Sequence, residues 1–168
     1  MTSAASQMSS VRESMVEHVF IAEILQEAWF VREQSIEVLR AEVDAFGYDL
    51  VLESNGIIRH VQLKASEVGS STRKQTINRL LEGKPGGCVV WIWFARDDQD
   101  QRMNMNFLYY GGKRPRDRMP SLGSVLGRNP RSKSPRPNTR VLDRRQFDFI
   151  LTTADLLERM FGRPKPLK

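Results

Sequence analysis

Asp49, Gln62 and Lys64 are the residues whose types and spacing could do chemistry together. The runs at 48–53 and 60–66 read as strands, and Ser54-Asn55-Gly56 between them has the composition of a tight hairpin turn. Pairing about Asn55 brings Asp49 opposite Val61 or Gln62. Side chains alternate across a strand, so Gln62 and Lys64 share a face that Asp49 can join. Leu50, Leu52, Val61 and Leu63 give the hairpin an apolar side. A carboxylate can hold Mg²⁺, an amide oxygen can assist, and an ammonium can steady a water or a phosphate. The plainer alternative is a solvated hairpin face with a cross-strand ion pair worth roughly 0.2–1 kcal/mol.

A second acid comes from the segment before the hairpin. Residues 10–31 read as a helix, with Ser9 or Ser10 as cap and Glu13 placed as a capping-box acid. At about 100° per residue, Arg12, Glu23, Gln26 and Glu27 fall on one wet face together with Phe30. Glu17 falls instead among Ile21, Ile24 and Ala28. A carboxylate on an apolar face needs an ion pair or a metal. Arg40 is a candidate ion-pair partner, and Glu23 would take the role of Glu17 in a shifted helix register. His18, nearby, reads as a hydrogen-bonded, half-buried histidine.

This order of a helix acid (Glu17), an aspartate opening the second strand (Asp49) and Gln62-x-Lys64 in the third resembles the PD-(D/E)xK nuclease superfamily. The likeness covers roughly residues 10–94. It implies an α/β protein with a restriction-endonuclease-like αβββαβ core, a mixed central sheet flanked by helices. It also implies catalytic roles for Glu17, Asp49, Gln62 and Lys64. Mg²⁺ or Mn²⁺ would be held by Glu17, Asp49, Gln62 and the backbone oxygen of Leu63. Two positions depart from the pattern: Tyr48 stands where the name-giving proline would be, and Gln62 replaces an acid. Asp44 is a spare carboxylate just before the second strand.

The charge pattern adds a partner. The net charge is +6. Lys113, Arg114, Arg116, Arg118, Arg128, Arg131, Lys133, Arg136, Arg140, Arg144 and Arg145 crowd one stretch, opposed by Asp117 and Asp143. Gly, Pro, Ser and Asn punctuate it, so it reads as a long basic loop fit to clamp a phosphate backbone. Arg73, Lys74 and Arg79 add charge near the Lys64 end. The expected nucleic-acid contacts are Arg73, Lys74, Arg79, Lys113, Arg114, Arg128, Arg131, Lys133, Arg136 and Arg140. DNA is the expected partner, with RNA as the alternative. A homodimer or a partner subunit is compatible, and exposure of Trp29, Trp91 or Trp93 would favour a protein-interaction role.

The remaining elements are expected as follows. Residues 36–40 form a first strand or end a second helix. A helix over 73–81, capped at 70–72, turns Ile77, Leu80 and Leu81 inward. Residues 88–94 are a central strand buried on both faces. Strands cover 105–110 and 147–151, and Thr153 caps a last helix over 154–161. The organisation is one domain: a flexible N-terminus (1–9), a nuclease-like core (10–110), a basic loop (111–145) and a C-terminal strand and helix (146–168). The single cysteine, Cys88, excludes an internal disulfide and reads as a buried strand residue. One Cys with His18 and His60 does not make a structural zinc site. No 18-residue apolar run exists, so a cytoplasmic protein without a membrane span is expected. The functional expectation is a metal-dependent DNA nuclease. The alternatives are a catalytically inactive nucleic-acid-binding module of the same fold, or a protein-interaction subunit of a larger assembly.

Overall fold

The computed structural model describes residues 4–43 and 45–164, so Asp44 lies outside the described residues, as do 1–3 of the expected flexible N-terminus. Among the described residues, two helices, nine strands and short 3₁₀ and π turns make up an α/β architecture. Helix α1 is Ala4–Gln26. It begins before the expected cap, so Ser10 lies inside the helix and Ser9 Oγ instead donates to Glu13 at 3.2 Å. A π turn, Glu27–Val31, ends it.

Strands β1 (Glu37–Arg40), β2 (Leu50–Ser54) and β3 (Ile57–Glu67) form an antiparallel meander. Asn55 and Gly56 join β2 to β3 with φ of 53° and 73°. Positive φ at both central residues gives a turn whose twist matches that of the strands, and Asn-Gly accepts it at least cost. The main sheet is completed by β5 (Cys88–Asp97), β6 (Arg102–Tyr110) and β9 (Asp148–Ile150), in the order β1-β2-β3-β5-β6-β9. Only β3 and β5 pair parallel, so the chain must cross over between them.

The crossover is where expectation and structure part. Residues read as a helix over 73–81 form strand β4 (Lys74–Asn78) and a 3₁₀ turn, Arg79–Gly83. Ile77 and Leu81 are buried as expected, whereas Leu80 is exposed. The stretch read as a basic loop over 111–145 contains β7 (Leu126–Arg128) and β8 (Pro135–Asp143). These build a second sheet in the order β4-β8-β7. Strand β4 exists because β8 supplies its ladder, from Lys74↔Asp143 to Asn78↔Thr139. Both helices therefore cover one face of the main sheet, and the small sheet takes the place of a helix on the other.

Strand β5 makes the layering plain. Cys88, Val90, Ile92 and Phe94 pack with Val16, Phe20 and Ile24 of α1 and with Leu156, Leu157 and Met160 of helix α2 (Thr153–Phe161). Val89, Trp91 and Trp93 pack with Ile77, Leu81, Leu142 and Phe147. Each fully buried side chain of this size contributes about 1.5–3 kcal/mol. Over 88–94, where both faces are covered, such a strand must be apolar at every position, and its sequence shows that; Arg96 and Asp97 follow where the cover ends. The cap of α2 is Thr152, one residue earlier than expected, whose side chain accepts from the Asp155 backbone N–H. Among the described residues no helix is long and apolar enough to cross a membrane.

Candidate functional site

The site lies where β3 outlasts its neighbour. Register places Leu50 opposite Val61, and Asp49 N–H still donates to Val61 O at 2.8 Å, so Asp49 falls opposite Gln62 as expected. Beyond that point β2 has ended while β3 runs on beside β5. Leu63 N–H has no strand partner there and donates instead to Asp49 Oδ2 at 2.6 Å. The N–H and C=O of one strand residue point to the same side. The Leu63 carbonyl therefore faces the same gap. A carboxylate has about four lone-pair sites, so this bond fixes the orientation of Asp49 without exhausting its capacity as an acceptor.

Helix α1 crosses the gap and brings Glu17, with its side chain 30% exposed, to Arg40 of β1, Nε to Oε1 at 3.2 Å. The ion pair expected as the plain role of Glu17 is thus formed. A cleft of ≈ 590 Å³ opens here, lined by Glu17, Arg40, Asp49, Leu63, Lys64 and Gln75 among others. Glu17 of α1, Asp49 just before β2, and Leu63 and Lys64 of β3 therefore line one cleft. Glu23 lines a different hollow, with Met15, Phe94 and Met103, and is not brought to this one.

Gln62 does not line the cleft. It is buried under the small sheet, and its Oε1 accepts from Asn78 N–H at 3.1 Å. Its amide ties β4 down onto β3. Gln75, from that same β4, was missed in the sequence. The alternation Gln75-Thr76-Ile77 is the available signal, but the same residues also fit the helix expected over 73–81. Among the described residues no three Asp, Glu, His or Cys side chains gather as a ready-made metal cage. The donors to hand are two carboxylates and a carbonyl. Mg²⁺ commonly takes one or two carboxylates and completes its octahedron with waters, so this lean set fits it.

The expected nucleic-acid contacts fall into two groups. Arg73, Lys74 and Arg79 are exposed on or beside β4, and Arg128, Arg131, Lys133 and Arg136 are exposed on β7, β8 and the turn between them. Arg140 is half-buried and donates to the carbonyls of Gly123, Pro137 and Thr139, so it holds main chain. Lys113 and Arg114 line a separate hollow beside α2, where Arg114 pairs with Asp117. That ion pair, chiefly through its side-chain hydrogen bond, holds the Asp117 carboxyl below the usual range.

His18 is exposed, its Nδ1 2.6 Å from Ser14 O. Cys88 is fully buried, and burial pushes its thiol up to about 11, which suits the expected inert strand residue. Trp91 and Trp93 are buried, whereas Trp29 is 66% and Phe30 76% exposed at the end of α1. No protein-family model, no curated protein and no solved structure matches the chain.

Proposed function

We propose that this protein is a metal-dependent nuclease of restriction-endonuclease-like type that hydrolyses phosphodiester bonds of DNA. The observation that carries this reading is that Glu17, Asp49, Leu63 and Lys64 line one open cleft, with Asp49 held by the Leu63 N–H. Glu17, Asp49 and Leu63 O are the donors that would hold Mg²⁺ or Mn²⁺. Such a cation supplies Lewis acidity and offsets the charge of the scissile phosphate. Asp49 is pre-oriented by Leu63 N–H, so little reorganisation is needed at that ligand. Lys64 orients the attacking water and stabilises charge that builds on the phosphate oxygens. The water oxygen bonds to phosphorus and gives up a proton to solvent as the ester P–O bond breaks, and the leaving oxygen takes up a proton from solvent. Gln62 acts through Asn78, as a positioning residue for the strand that carries Gln75.

The Glu17–Arg40 pair must yield or share for a cation to bind. Both partners are part-exposed, and such pairs are worth about 0–1 kcal/mol, so a divalent ion can displace it. Cleavage of plasmid and oligonucleotide DNA with Mg²⁺ or Mn²⁺ is the test. Asp49→Ala and Lys64→Ala should each lower the rate at least ~100-fold, in keeping with loss of a group that acts in the transition state. Activity that survives either change would remove these roles.

The same ion pair, with Gln62 in place of an acid, favours a second reading: a nucleic-acid-binding module without turnover. It predicts salt-sensitive DNA binding and no cleavage with any divalent metal. Arg40→Ala separates the two, since it should tighten Mn²⁺ binding only if Glu17 is a ligand.

A further inference from the structure

Residues 118–142 contain six cations, five Arg and one Lys, and no acid. Within them, β7, the turn and the first part of β8 form a two-stranded ribbon in which every residue from 128 to 138 is exposed. Both faces of this ribbon are therefore in solvent. An isolated hairpin is marginally stable at best, yet this one is built with care at its tip. Asn129 Oδ1 accepts from the backbone N–H groups of Arg131 and Ser132, Asn129 N–H donates to Ser134 O, and Arg128 donates to Lys133 O. Among the described residues no carboxylate pairs with Arg128, Arg131, Lys133 or Arg136. A ribbon with no core to make, a locked tip and four uncompensated cations is built to meet an anion.

The edge of the ribbon narrows the choice of partner. Ser134 O accepts from Asn129 N–H across the ribbon, so Pro135 next to it faces away from β7, at the open edge of β8. Proline offers no N–H there, and Pro137 removes another donor. A protein strand adding to this edge would find it blunted. A nucleic-acid groove asks nothing of that edge, and a two-stranded β-ribbon fits the major groove of B-DNA.

Placement links the ribbon to the cleft. Leu142 of β8 pairs with Gln75, which lines the cleft, and the tip at Lys133 lies about nine residues back along the chain. At ~3.3 Å per residue its reach is at most ~30 Å, and the irregularity between Leu126 and Gly127 shortens it. That is the axial length of about eight base pairs at 3.4 Å each. We infer that the ribbon is a finger that grips a groove of duplex DNA up to about eight base pairs from the cleft, which makes duplex rather than single-stranded DNA the substrate. This rests on the nuclease reading only for what happens in the cleft. The grip itself is tested in EDTA, so failure of one does not imply failure of the other.

The experiment measures DNA binding of R128A/R131A/K133A/R136A and of the wild type in EDTA by fluorescence anisotropy. Probes are a 24-bp duplex, a 6-bp duplex, a 24-nucleotide single strand and poly-glutamate. If all four cations meet phosphates, the slope of log K against log salt falls by about 3–4 units on the long duplex. Between 50 and 200 mM salt the wild type then loses about 150-fold more affinity than the variant. The short duplex, which offers the ribbon fewer phosphates, and the single strand should each show a much smaller difference. R128K/R131K/R136K should keep the wild-type slope, which a folding defect would not permit. Equal losses on duplex and single strand, or poly-glutamate bound as tightly as duplex, would overturn the proposal.

Discussion

Two sets of arginines in this molecule face opposite ways. Arg59 and Arg32 are buried, 0% and 7% exposed. Arg59 Nε donates to Met160 O at 2.8 Å, and Arg32 donates to Gly162 O. Both thus satisfy carbonyls at the C-terminal end of α2, where unpaired acceptors and the negative end of the helix dipole favour a cation. Desolvation lowers the Arg32 pKa, with Glu158 and Glu27 opposing it. Arg128, Arg131 and Arg136 on the ribbon hold almost nothing of their own chain. The same side chain is a strut where water is excluded and a solvated charge where it is not. Arg40 in the cleft lies between the extremes, half-exposed and paired with one carboxylate.

Substitutions should rank along that contrast. Arg59→Ala should cost most, about 3–4 kcal/mol, because it leaves both a cavity and the orphaned Met160 carbonyl. Urea unfolding measures it, and a loss under ~1 kcal/mol would erase the distinction between the two sets. Arg59→Met sharpens it: recovery of more than half the loss would mean that packing outweighs the hydrogen bond.

Next comes Cys88, whose thiol is raised by burial in spite of nearby Arg59. The folded state keeps this proton from about pH 9 to about 11, where an unfolded thiol gives it up. Stability from this group is complete below pH 9 and should fall by about 1 kcal/mol per pH unit through that window. Cys88→Ala should flatten the alkaline limb, and an unchanged limb would place its cause elsewhere.

Gln62→Leu should cost about 1–2 kcal/mol by stranding Asn78 N–H. If Gln62 is only a strut for β4, metal affinity measured by calorimetry should stay constant, whereas a large loss would restore it as a ligand. The ribbon alanines come last, within about 0.5 kcal/mol per site in the unfolding midpoint, as exposed residues without partners do.

The hairpin was legible because its information is local. Asn55-Gly56 fixes the turn, the turn fixes the register, and the register fixes Asp49 opposite Gln62. Strand β5 was legible because a strand covered on both faces cannot hide a polar residue. Glu17 could be placed because one helical face is enough to orient it. Strand β4 was not legible, since Ile77, Leu80 and Leu81 fit a helix as well as anything local could. Its true partner, β8, lies some sixty residues onward behind a run of prolines and arginines that reads as loop. The role of Gln62 was lost with it, because only β4 supplies the N–H that its amide accepts. Errors thus collected at one long-range pairing, where non-local contact overrides local propensity.

The small sheet also has a topological meaning. The chain leaves β6 after Tyr110 and returns at Asp148, and Tyr109 pairs directly with Asp148. The two doorways of the excursion stand side by side on adjoining strands. Grafting a hairpin of another length between β7 and β8 would therefore leave the cleft in place while changing how far the ribbon reaches from it. The ribbon is in this sense an exchangeable cassette.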